Sequence, residues 1–192
     1  MKKLLSIVLL AVAPLILIFL VVYPDFELGE YDNFQEAITK GIPYKVNNII
    51  HTDQYNNVTI VMYTTNPDKH ELPFANYEAL AVAFFKGSDE EGWESIGHHG
   101  WTHYENDNMT VYIEPLREHD DKGSTLNEFY VVFGEVNNAD IVKVETKSEG
   151  EEQFKEAKVI TAQGNRYYFQ IGREPIVRGL SESGTVIDRQ GG

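Results

Sequence analysis

The sequence predicts a mainly β fold: an antiparallel β-sandwich or open barrel with one short N-terminal helix, preceded by a single transmembrane helix. Three observations predict it. An uncharged apolar run fills residues 4–23. From Tyr44 onward the hydrophobic period changes to two. Short β-like runs then recur about every ten to fifteen residues, separated by turn residues rather than helices. The implied organisation is a cytoplasmic end at 1–3, a membrane anchor at 4–23, a linker with a short helix at 24–43, and an extracytoplasmic β domain at 44–192.

Leu4 to Tyr23 holds no charge and no glycine, with only Ser6 and Pro14 as interruptions. Twenty helical residues at about 1.5 Å rise reach about 30 Å, the thickness of a bilayer's hydrocarbon core. No water is present there to satisfy backbone groups, so helix is the expected form. A cleaved signal peptide is the rival. Its one small-x-small site, Ala11-Val12-Ala13, sits mid-run and is followed by Pro14, which argues for an uncleaved anchor. Lys2 and Lys3 precede the run, and Asp25 and Glu27 follow it, so the positive-inside tendency puts the N-terminus in the cytoplasm and the C-terminal domain outside. The expected location is the cell membrane, with the bilayer as a partner through residues 4–23.

Asp32 or Asn33 is placed to cap a short helix through Phe34 to Lys40, with Gly41 as its stop and Pro43 beyond. Val58, Ile60 and Met62 alternate with Thr59, Val61 and Tyr63, then Asn66-Pro67-Asp68 signals a turn. Ala79 to Phe85 is apolar at every position, which fits a central strand buried on both faces, with helix as the runner-up. Further strands are expected at Met109–Ile113, Glu128–Val136, Ile141–Thr146, Val159–Ala162, Arg166–Ile171 and Thr185–Asp188. Gln163-Gly164-Asn165 is a tight-hairpin signal. Glu149 to Ala157 is charged and reads as one helical turn or a loop.

Composition excludes several function classes. Without cysteine there is no disulfide framework, zinc-thiolate site, thiol nucleophile or lipid attachment at a lipobox. The only charges before Asp25 are Lys2 and Lys3, leaving 14 basic and 30 acidic residues beyond Pro24, a charge of −16. Such a field repels nucleic acid, and no basic stripe offsets it. No phosphate-binding glycine loop, nucleophile elbow or zinc-protease helix motif is present, so the sequence calls for no cofactor.

The densest cluster of functional residue types runs from Gly92 to Tyr104. If the segment is extended throughout, Trp93, His99, Trp101 and His103 share one face. His99 and His103, with His98 or a carboxylate, then suggest a metal site. Trp93, Trp101 and Tyr104 suggest instead a flat platform for a sugar ring or peptide. The plainer reading is a glycine-broken hairpin whose Trp residues complete the core and whose His residues are solvated. Glu118 to Ser124 is acidic but lacks the ligand spacing of a calcium loop.

The stretch Phe129 to Glu145, with a strand ending in Gly134-Glu135-Val136, an Asn137-Asn138-Ala139-Asp140 turn and a second strand, resembles a pattern in small membrane-anchored or exported proteins of Bacillus-type bacteria. The ending Gly184 to Gly191, and Phe84-Phe85-Lys86 with Gly92-Trp93, are similar to hairpins of the same proteins. The resemblance implies architecture and location, and no activity or catalytic residues. The leading expectation is a non-catalytic binding or sensing module whose partner is an envelope protein, a peptide or a cell-wall polymer. Its ligand-binding candidates are Trp93, His99, Trp101, His103 and Tyr104. The alternatives are an extracytoplasmic hydrolase or metal-dependent enzyme using His98, His99 or His103, and a structural subunit of an envelope complex.

Overall fold

The computed structural model describes residues 30–70, 72–97, 100–120 and 122–191. The expected anchor at 4–23 lies outside them, and among the described residues no helix is long and apolar enough to cross a membrane. The described residues are mainly β, in antiparallel sheets with one short helix, as the period-two pattern predicts.

In chain order the elements are β1 (Glu30–Tyr31), α1 (Phe34–Gly41), β2 (Val46–Tyr55), β3 (Val58–Thr65), β4 (Ala79–Ser88), β5 (Gly92–Ser95), β6 (Tyr112–His119), β7 (Thr125–Glu135), β8 (Lys143–Lys147), β9 (Lys155–Glu156), β10 (Lys158–Ala162), β11 (Asn165–Ile171), β12 (Ile176–Leu180) and β13 (Val186–Gln190). They form a five-stranded sheet ordered β1-β5-β4-β3-β2, a four-stranded sheet ordered β10-β11-β7-β6, and a second four-stranded sheet ordered β13-β12-β8-β9.

Strand alternation stacks these sheets. Val58, Ile60 and Met62 of β3, with Leu80, Val82 and Phe84 of β4, share one core with Phe129, Val131 and Phe133 of β7 and Tyr167 and Phe169 of β11. The intervening residues Val61, Tyr63, Ala81, Ala83 and Phe85 point the other way and receive Ala37 and Ile38 of α1. The alanines leave room for the helix to approach. On the far side of β7 and β11, Val132 and Tyr168 join Val144 of β8 and Val177 of β12 in a third core. The layers are therefore helix, five-stranded sheet, middle sheet and outer sheet. The middle sheet is covered on both faces, unusual for antiparallel strands, which commonly leave one face to water.

Local chemistry fixes the ends of the elements. Asn33 caps α1 by accepting from the Glu36 amide at 3.0 Å, and Lys40 pairs with Glu36 at 2.9 Å. Asn56 and Asn57, with φ of 49° and 60°, turn β2 into β3; Gln163 and Gly164, at 53° and 81°, turn β10 into β11. Both are pairs of positive-φ residues, which suit the twist of a two-residue hairpin. Pro115 sits in β6, an edge strand, where a missing amide leaves no ladder partner unsatisfied.

One strand expectation and one helical-turn alternative need correction. Met109–Ile113 is not one strand: Met109 makes an isolated bridge to Val136, and β6 begins only at Tyr112. The Asn106 side chain accepts from the amides of Asn108 and Met109, which bends the chain before pairing resumes. Residues 149–157 hold no helical turn, and their end pairs with β8 as β9.

Candidate functional site

The long connections gather at one end of the paired sheets, which also carries the two-residue Gln163-Gly164 turn. At the opposite end the links are tight: Asn56-Asn57 between β2 and β3, 89–91 between β4 and β5, and 120–124 between β6 and β7. Lys86 meets Glu118 at 2.6 Å there, and Tyr55 meets Phe129 edge-on at 5.1 Å. At the long-loop end lie the linker 42–45, the loop 66–78 joining β3 to β4, and the segment 96–111 joining β5 to β6. Asn47, the second residue of β2, donates to Glu78 at 2.7 Å and ties the start of that strand to the end of the 66–78 loop.

Two of the expected site residues meet at this long-loop end. His103 stacks on Tyr77 with ring centroids 3.8 Å apart and planes 11° from parallel, and Trp101 meets the same Tyr77 edge-on at 6.2 Å. Both ring nitrogens of His103 are shielded and make no hydrogen bond. The imidazole thus serves as a flat packing surface for the loop.

Trp93 and Tyr104 do not join this stack on Tyr77. Trp93 lies on β5, only 9% exposed, against Phe34 at 4.8 Å, and its Nε1 donates to Asp89 at 2.7 Å. Asp89 also accepts from the Phe34 amide at 3.1 Å, so Trp93 locks the start of α1. Tyr104 is half-buried at the rim of the core between the five-stranded and middle sheets; its hydroxyl bonds the Val111 amide and Gln190. His98 and His99 lie outside the described residues, so the expected metal pair of His99 and His103 does too. The common strand face of Trp93, His99, Trp101 and His103 does not extend as far as Trp101. Strand pairing ends at Ser95, after a last ladder bond from the Ile96 amide to the Phe84 carbonyl at 3.0 Å, and residues 100–107 run as irregular chain.

Two features of this end were not anticipated. The first is a cavity of about 710 Å³ between the C-terminal half of α1, the linker and the start of β2, closed on one side by Gln163 of the β10–β11 turn. Amides and hydroxyls line it (Gln35, Thr39, Asn47, Asn48, Gln163), with Ile38, Ile42 and Ile49 supplying apolar wall. Among the described residues, Lys45 is the one charged residue in the lining, which includes no carboxylate and no imidazole. The second is the tip of the 66–78 loop, where Phe74 is 97% exposed and Leu72 is exposed beside it.

Electrostatics at this end come from Glu135, which lies opposite Tyr167 in the β7–β11 ladder. Burial pushes its carboxyl above the usual carboxylate range, and the nearby Glu78 charge pushes the same way. Tyr167 is raised as well, first by burial, with Glu135 and Glu78 adding to it against a hydrogen bond from Asn165. Among the described residues no group of three His, Asp or Glu side chains converges as metal ligands.

Comparison with family models, with curated proteins and with solved structures finds no match for this chain.

Proposed function

We propose that this chain is a membrane-anchored, extracytoplasmic binding module, non-catalytic, built as a β-sandwich with a third sheet on its outer face and held to the bilayer by residues 4–23. The observation that carries the binding part is the cavity of about 710 Å³ at the long-loop end. Its size is that of a small-molecule or short-segment site. Its lining of amides and hydroxyls, with one lysine, suits an uncharged ligand rich in hydrogen-bonding groups, such as a glycan ring or an extended peptide backbone. A catalytic acid–base pair needs a titratable group within hydrogen-bond reach of the reacting atoms. Among the described residues the cavity wall offers only Lys45 and Tyr44, which supports binding over hydrolysis. Tethering restricts the module to a thin layer above the membrane and raises its effective concentration for envelope partners.

The test uses the full chain in nanodiscs, titrated with soluble cell-wall glycan strands and, separately, with an uncharged extended peptide. Thr39→Phe, at an exposed helix position on the cavity wall, fills the space without touching a core. Saturable binding weakened at least about tenfold by Thr39→Phe, or about 1.4 kcal/mol, is the expected result. Equal binding by both proteins removes the cavity from the function. Alkaline extraction and protease access to the domain in intact cells test the anchor and its orientation separately.

A further inference from the structure

We infer that the occupant of the cavity beside α1 is an extended polypeptide segment, which adds a strand to the outer edge of β2 at residues 46–49. The inference rests on the binding reading above and commits it to one class of ligand and one mode of contact.

The lining shows where the cavity runs. Ile38 and Thr39 belong to α1, which covers one face of the five-stranded sheet, and Gln163 belongs to the middle sheet, packed on the opposite face. β2 lies between them: Val46 packs with the α1 core, and Ile50 with the core between the sheets. A space lined from both faces of a sheet passes around its border, and β2 is that border, paired to β3 alone. The backbone groups on its outer side have no strand partner. Farther along, the border closes. The Lys158 ammonium donates to His51 Nε2 at 3.3 Å, and the His51 ring meets Phe169 edge-on at 5.1 Å. The open stretch is therefore 46–49.

The chemistry of an exposed strand edge selects the occupant. Its outward N–H and C=O groups recur at the spacing of an extended chain, and a second extended backbone matches that spacing. The other borders are blunted against such pairing. β6 carries Pro115 with Arg117 and Glu118, β10 starts at Lys158, and β13 contains Asp188 and Arg189. β1 and β9 are two residues each. Residues 46–49 (Val-Asn-Asn-Ile) hold neither charge nor proline. The register limits how far a partner can pair. Val46 opposes Thr65 and Asn48 opposes Thr64, so Asn47 is an extra residue; Ile50 is another, between the Ile49–Tyr63 and His51–Met62 pairs. These two bulges bend β2 and bar sheet growth along its whole length, leaving a short stretch beside the cavity. Alternate side chains of the added strand then face Ile38 and Ile42 on the α1 side and Gln163 on the other. The matching segment therefore alternates apolar with uncharged polar residues.

The experiment titrates the full chain in nanodiscs with a pool of uncharged peptides of about eight residues, in which Val or Ile alternates with Ser, Thr or Asn. Two further pools carry N-methyl groups on alternate amides, one pool for each edge of the extended peptide. The expected result is saturable binding of the parent pool, with hydrogen exchange at outward amides of residues 46–49 slowed about tenfold or more at saturation. One methylated pool is expected to lose both effects and the other to keep them, because an added strand pairs through a single edge. Loss with both methylated pools, or with neither, overturns the added strand and leaves the cavity as a binding site. Binding that leaves exchange at 46–49 unchanged overturns its placement on β2. Saturable binding of soluble glycan strands without binding of the peptides overturns the ligand class alone. No saturable binding of either removes the binding reading together with this inference.

Discussion

The two ends of the paired sheets are built from the same strands and differ in almost everything else. The tight-turn end is closed by two- to five-residue links, with Asn56 and Asn57 in left-handed conformations and acidic residues at the tips. The long-loop end carries the linker 42–45, the 66–78 loop and the 96–111 segment, and with them the cavity, the Tyr77–His103 stack and the exposed Phe74. The difference teaches where selection for folding gives way to selection for contact: short turns set register, and long supported loops present surface on a rigid scaffold.

The comparison is broken most severely at the base of the long-loop end. A Cβ on Gly134 would lie 1.9 Å from the Thr110 carbonyl oxygen and 2.7 Å from the Tyr168 ring. Gly134→Ala is therefore expected to cost about 3 kcal/mol or more, read by chemical denaturation, and to loosen the 96–111 segment. At the tight-turn end, Asn57→Val places a β-branched residue at φ 60°. It should cost about 1–2 kcal/mol while leaving ligand binding at the opposite end unchanged. If binding falls with stability, the two ends are not independent.

Acid sharpens the contrast further. Because burial and Glu78 raise the folded-state carboxyl of Glu135, the folded chain binds its proton more tightly than the unfolded chain. Stability from this group is complete below the ordinary carboxylate range, about 4.3, and declines as pH rises through the higher folded-state value. Glu135→Gln, permanently uncharged, is expected to raise Tm at pH 7, with the gain disappearing as pH falls below that range. A gain that persists in acid assigns it to packing instead. The smallest effect belongs to Phe74→Ser, which should change stability by no more than about 0.5 kcal/mol, since the ring touches little of its own domain.

Much of the scaffold was legible. The unbroken apolar run of β4 marked a strand buried on both faces, and its alanines are the contact surface for α1. Asn33 and the Gln163-Gly164 turn stand where their side chains and dihedrals require, whereas Gly41, expected as the stop, is the last helical residue, with Ile42 as the cap and the Phe85 and Tyr31 rings close against it. The outer sheet was harder to read. β12 contains Gly179, an unpromising strand residue, and it is there because Ile141 packs where its Cβ would stand, 2.7 Å from Cδ1. Such a contact depends on a residue 38 positions away in the chain and leaves no local pattern. The site was legible only in part. Trp101 and His103 meet on Tyr77, in a stretch whose Asn66-Pro67-Asp68 opening looks like an ordinary turn, and neither lines the cavity. Leu72 and Phe74 have the composition of core residues, and only the geometry puts them in water.

The doubly covered β7 has a consequence for how this chain can change. Phe129, Val131 and Phe133 fill one interior while Val132 fills another. Adding or deleting a single residue within that stretch would exchange the two sets, sending phenyl rings where a valine fits and the reverse. The strand is thus locked in length, and inherited insertions and deletions in this lineage should accumulate in 66–78 and 96–111, where no parity rule applies.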